Sequence, residues 1–224
     1  MIPQIQLGKN HRAYISVTDA VIPYSFYNVN DTNNILEYNL NSVDYTLIIT
    51  KANYNITTLI TYLTANLETG FTISYNASTN KLTFEHSTYE FTFNSNSTCF
   101  ELLGLTEKTH ASTLSILTSD ISINFFTIRN IQISSSNFIL NNINTAKPNV
   151  ASILISIPVD VNQGSIIQYR NINNISSLVH EINNISNLHI QILDQDGDLL
   201  NLNGLHYSIN LLLTIEQIKS KAIL

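Results

Sequence analysis

Apolar and polar residues alternate in short runs along most of the chain, each run bounded by Asn, Asp, Ser or Gly, with β-branched and aromatic residues filling the apolar positions. Period-two alternation of this kind is the signature of half-buried strands. The longest run, AYISVTDAVI at residues 13–22, places Tyr14 to Ala20 on one face and Ala13 to Val21 on the other; Pro23, which has no amide donor, ends it. Shorter runs follow at residues 35–40, 45–50, 71–75, 81–85 and 89–94. FTISY and KLTFE are separated by NASTN, and KLTFE is followed after HST by YEFTFN, so the three predict a hairpin meander. Runs at residues 121–133, 150–157, 165–169, 188–193, 199–202 and 206–215 predict a later group of strands.

One segment changes period. Ile56, Leu59, Ile60, Leu63 and Leu67 recur at helical spacing, preceded by Asn55 as an N-cap and followed by Gly70, where a left-handed C′ residue would end the helix. The spacing predicts an amphipathic helix of about four turns. Thr57, Thr58, Thr61 and Thr64 on its outer face lower its propensity, so packing of Leu59, Leu63 and Leu67 on a sheet must supply most of its stability. CFELLGL predicts a second short turn ending at Gly104. TEKTHASTLSILTSD, residues 106–120, is the most loop-like interval and reads as a long connection inside one sandwich.

These elements predict an all-β, mainly antiparallel fold: a jelly-roll-type β sandwich with one inserted amphipathic helix. The expected organisation is an N-terminal arm over residues 1–12, a β-sandwich domain over 13–215 and a C-terminal tail over 216–224. The alternative division is into two β lobes, 13–105 and 121–215.

Composition narrows the function. At 224 residues with 44% hydrophobic and 12% charged, the chain has enough apolar residues for a core, which excludes disorder as a whole-chain reading. A formal net charge of −6, with the basic residues scattered singly, argues against a nucleic-acid partner. The N-terminus MIPQIQLGKNHR lacks both the basic and the apolar segments of an export signal, and no run is long enough to predict a membrane-spanning segment. The 31 Asn and 33 Ile residues share AT-rich codons, so their abundance reports base composition and carries no function. The six Asn-x-Ser/Thr sites at Asn30, Asn55, Asn76, Asn96, Asn174 and Asn184 are as many as that composition yields by chance.

Candidate chemistry is sparse. Asp194, Asp196 and Asp198 in LDQDGDL supply clustered oxygens, but a calcium loop needs Gly at its sixth position and Glu at its twelfth, whereas Gly197 is fourth and the twelfth residue is Leu205; Asp-Gly suits a tight turn, and a weak metal site is the alternative. Of the histidines, His180-Glu181 lacks the second His of a zinc-protease helix, and His189 and His206 lie on predicted neighbouring strands. Gly164-Ser165 lacks the second glycine of a nucleophile elbow. Cys99, the lone cysteine, sits among Phe100 and Leu102 and reads as a buried structural thiol. Tyr24, Phe26 and Tyr27 read as a cap on the core at a strand end, with a glycan platform or interface anchor as the alternative. No catalytic, cofactor-binding or metal-ligating residue is assigned, and no cofactor is expected.

The order of motifs carries more than any one of them. Ile22, Pro23, Phe26 and Asn28 in VIPYSFYNVN are followed by Asn53 and Tyr54 before the helix, then by Leu102, Leu103 and Gly104, and finally by Asp194 and Gly197 between two strands. This succession resembles a family of virion structural proteins in eukaryotic DNA viruses of the double-jelly-roll lineage: giant viruses, polinton-like viruses and virophages. Ala52 stands where the family usually has Gly, and Leu105 where it has Phe. The resemblance implies a non-catalytic minor capsid, penton-like or capsid-associated protein located in the virion and assembled in the infected cell. It further implies the major capsid protein and other capsid subunits as partners, and a homo-oligomer.

Overall fold

The computed structural model describes residues 11–140, 153–182 and 188–217. In chain order the elements are β1 (His11–Pro23), β2 (Ile35–Leu40), β3 (Val43–Ile48), α1 (Ile56–Asn66), β4 (Phe71–Asn76), β5 (Lys81–His86), β6 (Phe91–Phe93), α2 (Phe100–Leu103), β7 (His110–Ala111) and β8 (Ile116–Thr118). They continue with β9 (Asn130–Ser135), β10 (Phe138–Leu140), β11 (Ile153–Pro158), β12 (Ile166–Arg170), β13 (Ser177–Ile182), β14 (Ile190–Leu193) and β15 (Ser208–Gln217). The fold is all-β and antiparallel in every strand pair among the described residues, with one inserted amphipathic helix, as the alternation predicts.

The chain divides into two compact units: Tyr27–Thr127, and the remainder, Met1–Phe26 with Ile128–Leu224. The boundaries differ from both the single 13–215 sandwich and the 13–105 and 121–215 lobes. Strand β1 joins the C-terminal strands because its hydrogen bonds go to β12, β13 and β15, and the Tyr27–Thr127 unit is an insertion between β1 and β9. Most of the expected arm and tail lies outside the described residues; His11 and Arg12 belong to β1, and Glu216 and Gln217 to β15.

In the unit that holds the chain ends, β1 is the central strand. Along one edge it pairs first with β13 (Ala13↔Val179) and then with β12 (Ile22↔Ile167), while β15 runs along the other edge from His11↔Gln217 to Val21↔Ser208. Strand β10 extends this sheet through β13, and a second sheet has the order β11-β9-β14. Ile15 and Ile22 from the first sheet and Ile131, Ile133 and Ile192 from the second are buried in one core, which makes the unit a β sandwich.

Alternation along β1 fails at one point. Ala13, Ile15 and Val17 are buried, and so are Ala20 and Ile22, because a bulge between Val17 and Asp19 inserts an extra residue and reverses the parity. The faces read from residues 13–22 are therefore corrected: both halves of β1 keep an apolar side inward. The Thr18 carbonyl, freed from the ladder, accepts the Asn171 amide at 3.0 Å where the neighbour changes from β13 to β12.

The inserted unit has a sheet of order β3-β2-β6-β7 and another of order β4-β5-β8. Leu36 and Tyr38 of β2, Phe84 of β5, Phe93 of β6 and Leu59 and Leu63 of α1 share its core. The Asn55 side chain accepts the Thr58 amide and Thr58 closes the capping box, but the helix is three turns rather than four. It stops at Asn66, and Leu67, extended at ψ 160°, turns the chain away before Gly70. Full burial of Leu59 and Leu63, worth about 2 kcal/mol each, offsets the threonine-rich face. Gly104, at φ +73°, caps α2 as expected.

Three other expectations are corrected here. The predicted meander breaks after β5: the free edge of β5 is taken by β8, and β6 pairs with β2 in the other sheet. His86 makes the break, its Nδ1 accepting the amides of Thr88 and Tyr89 at 3.2 and 2.9 Å and turning the chain between sheets. The loop-like interval 106–120 holds β7 and β8, joined through Leu114 and Ser115, both at positive φ. Residues 121–129 form no strand, so the expected run over 121–133 starts as β9 only at Asn130.

Candidate interaction surface

The residues with candidate chemistry are mostly occupied by the fold. Asp194 Oδ1 accepts the amides of Asp196 and Asp198, both at 2.9 Å, and Gly197 turns at φ +83°. The LDQDGDL segment is thus an Asp-closed turn whose first carboxylate is spent on the backbone. Burial raises the Asp194 pKa above the usual carboxylate range, and the two amide bonds only partly counter it. His189 and His206 are both exposed, just before β14 and β15, and the His189 amide donates to Asn137 Oδ1. His180 and Glu181 lie on β13.

Tyr24 and Phe26 stack on each other with ring centroids 4.3 Å apart, and Phe26 is buried in the sandwich core. They act as the cap on the core, and burial pushes the Tyr24 hydroxyl pKa up; Tyr24 is half-buried, and Tyr27, 38% exposed, lies on the surface. Cys99 is buried and free, its thiol pushed up to about 12 by burial.

One polar cluster has no signal in the sequence. Thr106 Oγ1 donates to Asp120 Oδ2 at 2.6 Å, and Lys108 Nζ and His110 Nδ1 both lie 3.5 Å from the same oxygen. The hydroxyl bond, followed by the nearby His110 and Lys108, holds the Asp120 pKa below the usual range. His110 Nε2 faces the Thr106 carbonyl at 2.8 Å and must donate to it. Thr, His and Asp meet here in the wrong order for a nucleophile: the hydroxyl sits on the carboxylate, and the imidazole touches no hydroxyl it could deprotonate. The cluster fastens β7 to the segment after β8.

What the fold leaves unused is strand edge. Strand β15 has ten residues, pairs with β1 along one side, and has no strand partner on its other side among the described residues. Strand β14 is likewise an edge strand of the second sheet. Leu188, His189, Ile190, Tyr207, Ile209 and Leu211, from the beginnings of both edge strands, line a groove of about 550 Å³. On the outer face of the first sheet, Leu212 is 53% exposed and Leu178 and Ile166 are exposed as well. In the inserted unit, Asn39, Tyr89, Glu90, Thr92 and Ser112 border a smaller polar depression of about 340 Å³. No helix among the described residues is long and apolar enough to cross a membrane.

No family model matches the chain, and no curated protein matches it. Among solved structures, the crystal structure of the mavirus penton protein is similar: 16% identity, TM-score 0.47, covering 95% of this chain and 91% of that one.

Proposed function

We propose that this chain is a non-catalytic structural protein of a virion, a minor capsid or capsid-associated component whose sheet edges contact the major capsid protein and other subunits of an icosahedral shell. The observation that carries the reading is the ten-residue edge of β15, unpaired among the described residues and flanked by exposed apolar side chains. An isolated soluble domain is expected to blunt such an edge, whereas an assembly covers it. The motif order supports the same reading, because its residues form the turns and caps of this fold: Gly104 ends α2, Asp194 closes its turn, and Asn28 binds Asn53 and Tyr54.

The test is co-assembly. Mixed with the major capsid protein of its own virus, the purified chain should sediment with the shells, and mass spectrometry of particles should find it at a fixed ratio to that protein. Indifference to the capsid protein and absence from particles would overturn the reading. A second reading, a glycan-binding virion module, is favoured by the polar depression beside Tyr89, 44% exposed and stacked on His86. A glycan array separates the two: a shell component leaves it blank.

A further inference from the structure

We infer that the edge of β15 left unpaired among the described residues is a self-recognition strand: two copies of this chain pair their β15 strands antiparallel about a two-fold axis through Leu212, joining two five-stranded sheets into one. The inference rests on reading this edge as an assembly surface and names its partner as a second copy.

The strand lacks the features that keep an edge solitary. SINLLLTIEQ contains no Pro, Gly, Lys or Arg, and its single charge, Glu216, lies next to its end. The bulge of this pair lies on β1 at Thr18, leaving β15 regular along its length. A regular, nearly uncharged strand offers its outer N–H and C=O groups as a template.

Its sequence is also its own complement. With Leu212 opposite its copy, Leu211 faces Leu213, Ile209 faces Ile215, Asn210 faces Thr214 and Ser208 faces Glu216. Directly opposed residues in an antiparallel pair share a sheet face. In this register every apolar residue on the core side meets an apolar one, each remaining polar residue meets a polar one, and the two Glu216 carboxylates fall at opposite ends. A shift of one residue opposes core-side to solvent-side positions, and a shift of two sets Leu212 against Asn210 or Thr214. The half-open core at this edge fits such a partner: Ile209, Leu211 and Leu213 are only half-buried, and Ile215, opposite the fully buried Ala13, is 41% exposed. A second β15 would cover all four.

The experiment uses the full chain. Cys99 is buried, so Leu212→Cys introduces the one accessible thiol. Under mild oxidation this variant should become a covalent dimer, whereas Asn210→Cys and Thr214→Cys should cross-link with each other and far less with themselves. Light scattering should give the wild type twice the 25.1 kDa chain mass and Leu212→Lys the monomer mass, with an unchanged circular dichroism spectrum because Leu212 is already exposed. A wild-type monomer at tens of micromolar, or an oligomer in which Leu212→Cys fails to cross-link, would overturn the inference. Neither result touches the structural reading, which co-sedimentation with shells tests separately. Conversely, a Leu212-linked dimer that never enters shells would uphold the pairing and defeat the virion role.

Discussion

The backbone N–H of Asn28 donates to Asn53 Oδ1 at 2.8 Å, and the Asn28 carboxamide brackets the neighbouring residue, with Nδ2 donating to the Tyr54 carbonyl at 2.8 Å and Oδ1 accepting the Tyr54 amide at 2.9 Å. The first two motifs of the sequence are thus two halves of one clamp, which fixes the chain just after Tyr27 against the segment leading into α1. Replacing Asn28 by Ala leaves both Tyr54 backbone groups without these partners in a half-buried place. A loss of about 1–3 kcal/mol in the stability of the inserted unit is expected in urea unfolding, with no rescue by Asn28→Asp, which sets a carboxylate oxygen against the Tyr54 carbonyl that Nδ2 now serves.

Gly104 has no tolerated substitute. Its φ is +73°, and a Cβ there would lie 2.5 Å from the Ile121 carbonyl oxygen, a backbone atom that also accepts no easy displacement. Gly104→Ala should destabilise the same unit by about 1–3 kcal/mol or more, read as a lower unfolding midpoint.

Asp194 and Asp120 should respond to pH with opposite signs. The folded-state pKa of Asp194 is raised, so ionisation at neutral pH opposes folding, and stability from this group rises as pH falls through the raised value toward the ordinary carboxylate range. Asp194→Asn keeps the turn acceptor without the charge; it should match or exceed the wild type at pH 7 and lose that advantage near pH 4, while Asp194→Ala is destabilised throughout. The Asp120 pKa is depressed, so its stabilising contribution is complete above the ordinary range and disappears as pH falls through the lower folded value. Thermal melts of Asp120→Asn and wild type from pH 7 to pH 2 should therefore converge only at the acid end.

Cys99 should be silent to thiol reagents in the folded protein. With its thiol pushed up to about 12 and its side chain buried, thiolate is scarce and out of reach at pH 8. Ellman titration should find no reactive thiol without denaturant and one per chain in 6 M guanidinium, about the concentration that unfolds most domains.

Local rules read some of this fold directly. Strands β2, β4 and β5 follow alternation almost to the residue, and the Asn55 cap, the Gly104 cap and the Asp-Gly turn each need only neighbours in sequence. What escaped depends on partners far along the chain. The exchange of β13 for β12 beside β1, and the bulge at Thr18 that accompanies it, follow from three distant strands. Strands β7 and β8 have two and three residues, too few for a period. Val43 begins β3 two residues earlier than alternation suggests because Asn41 and Ser42, both at positive φ, make a two-residue turn. Asparagine itself, set aside as codon bias, proves useful: Asn41, Asn80, Asn174 and Asn203 hold left-handed turn positions that most side chains avoid. The β15 edge was legible as an alternating run, but its place at the border of the sheet among the described residues is a property of topology.

The inserted unit begins and ends at one place, since the Thr127 hydroxyl donates to the Asn28 carbonyl at 3.1 Å. Chain geometry therefore makes residues 27–127 a cassette: it can be lifted out between β1 and β9 and the gap bridged by a short glycine linker without reordering any strand of the host sandwich. A chain in which such a linker replaces residues 27–127 is expected to keep the pairing of β1 with β12, β13 and β15.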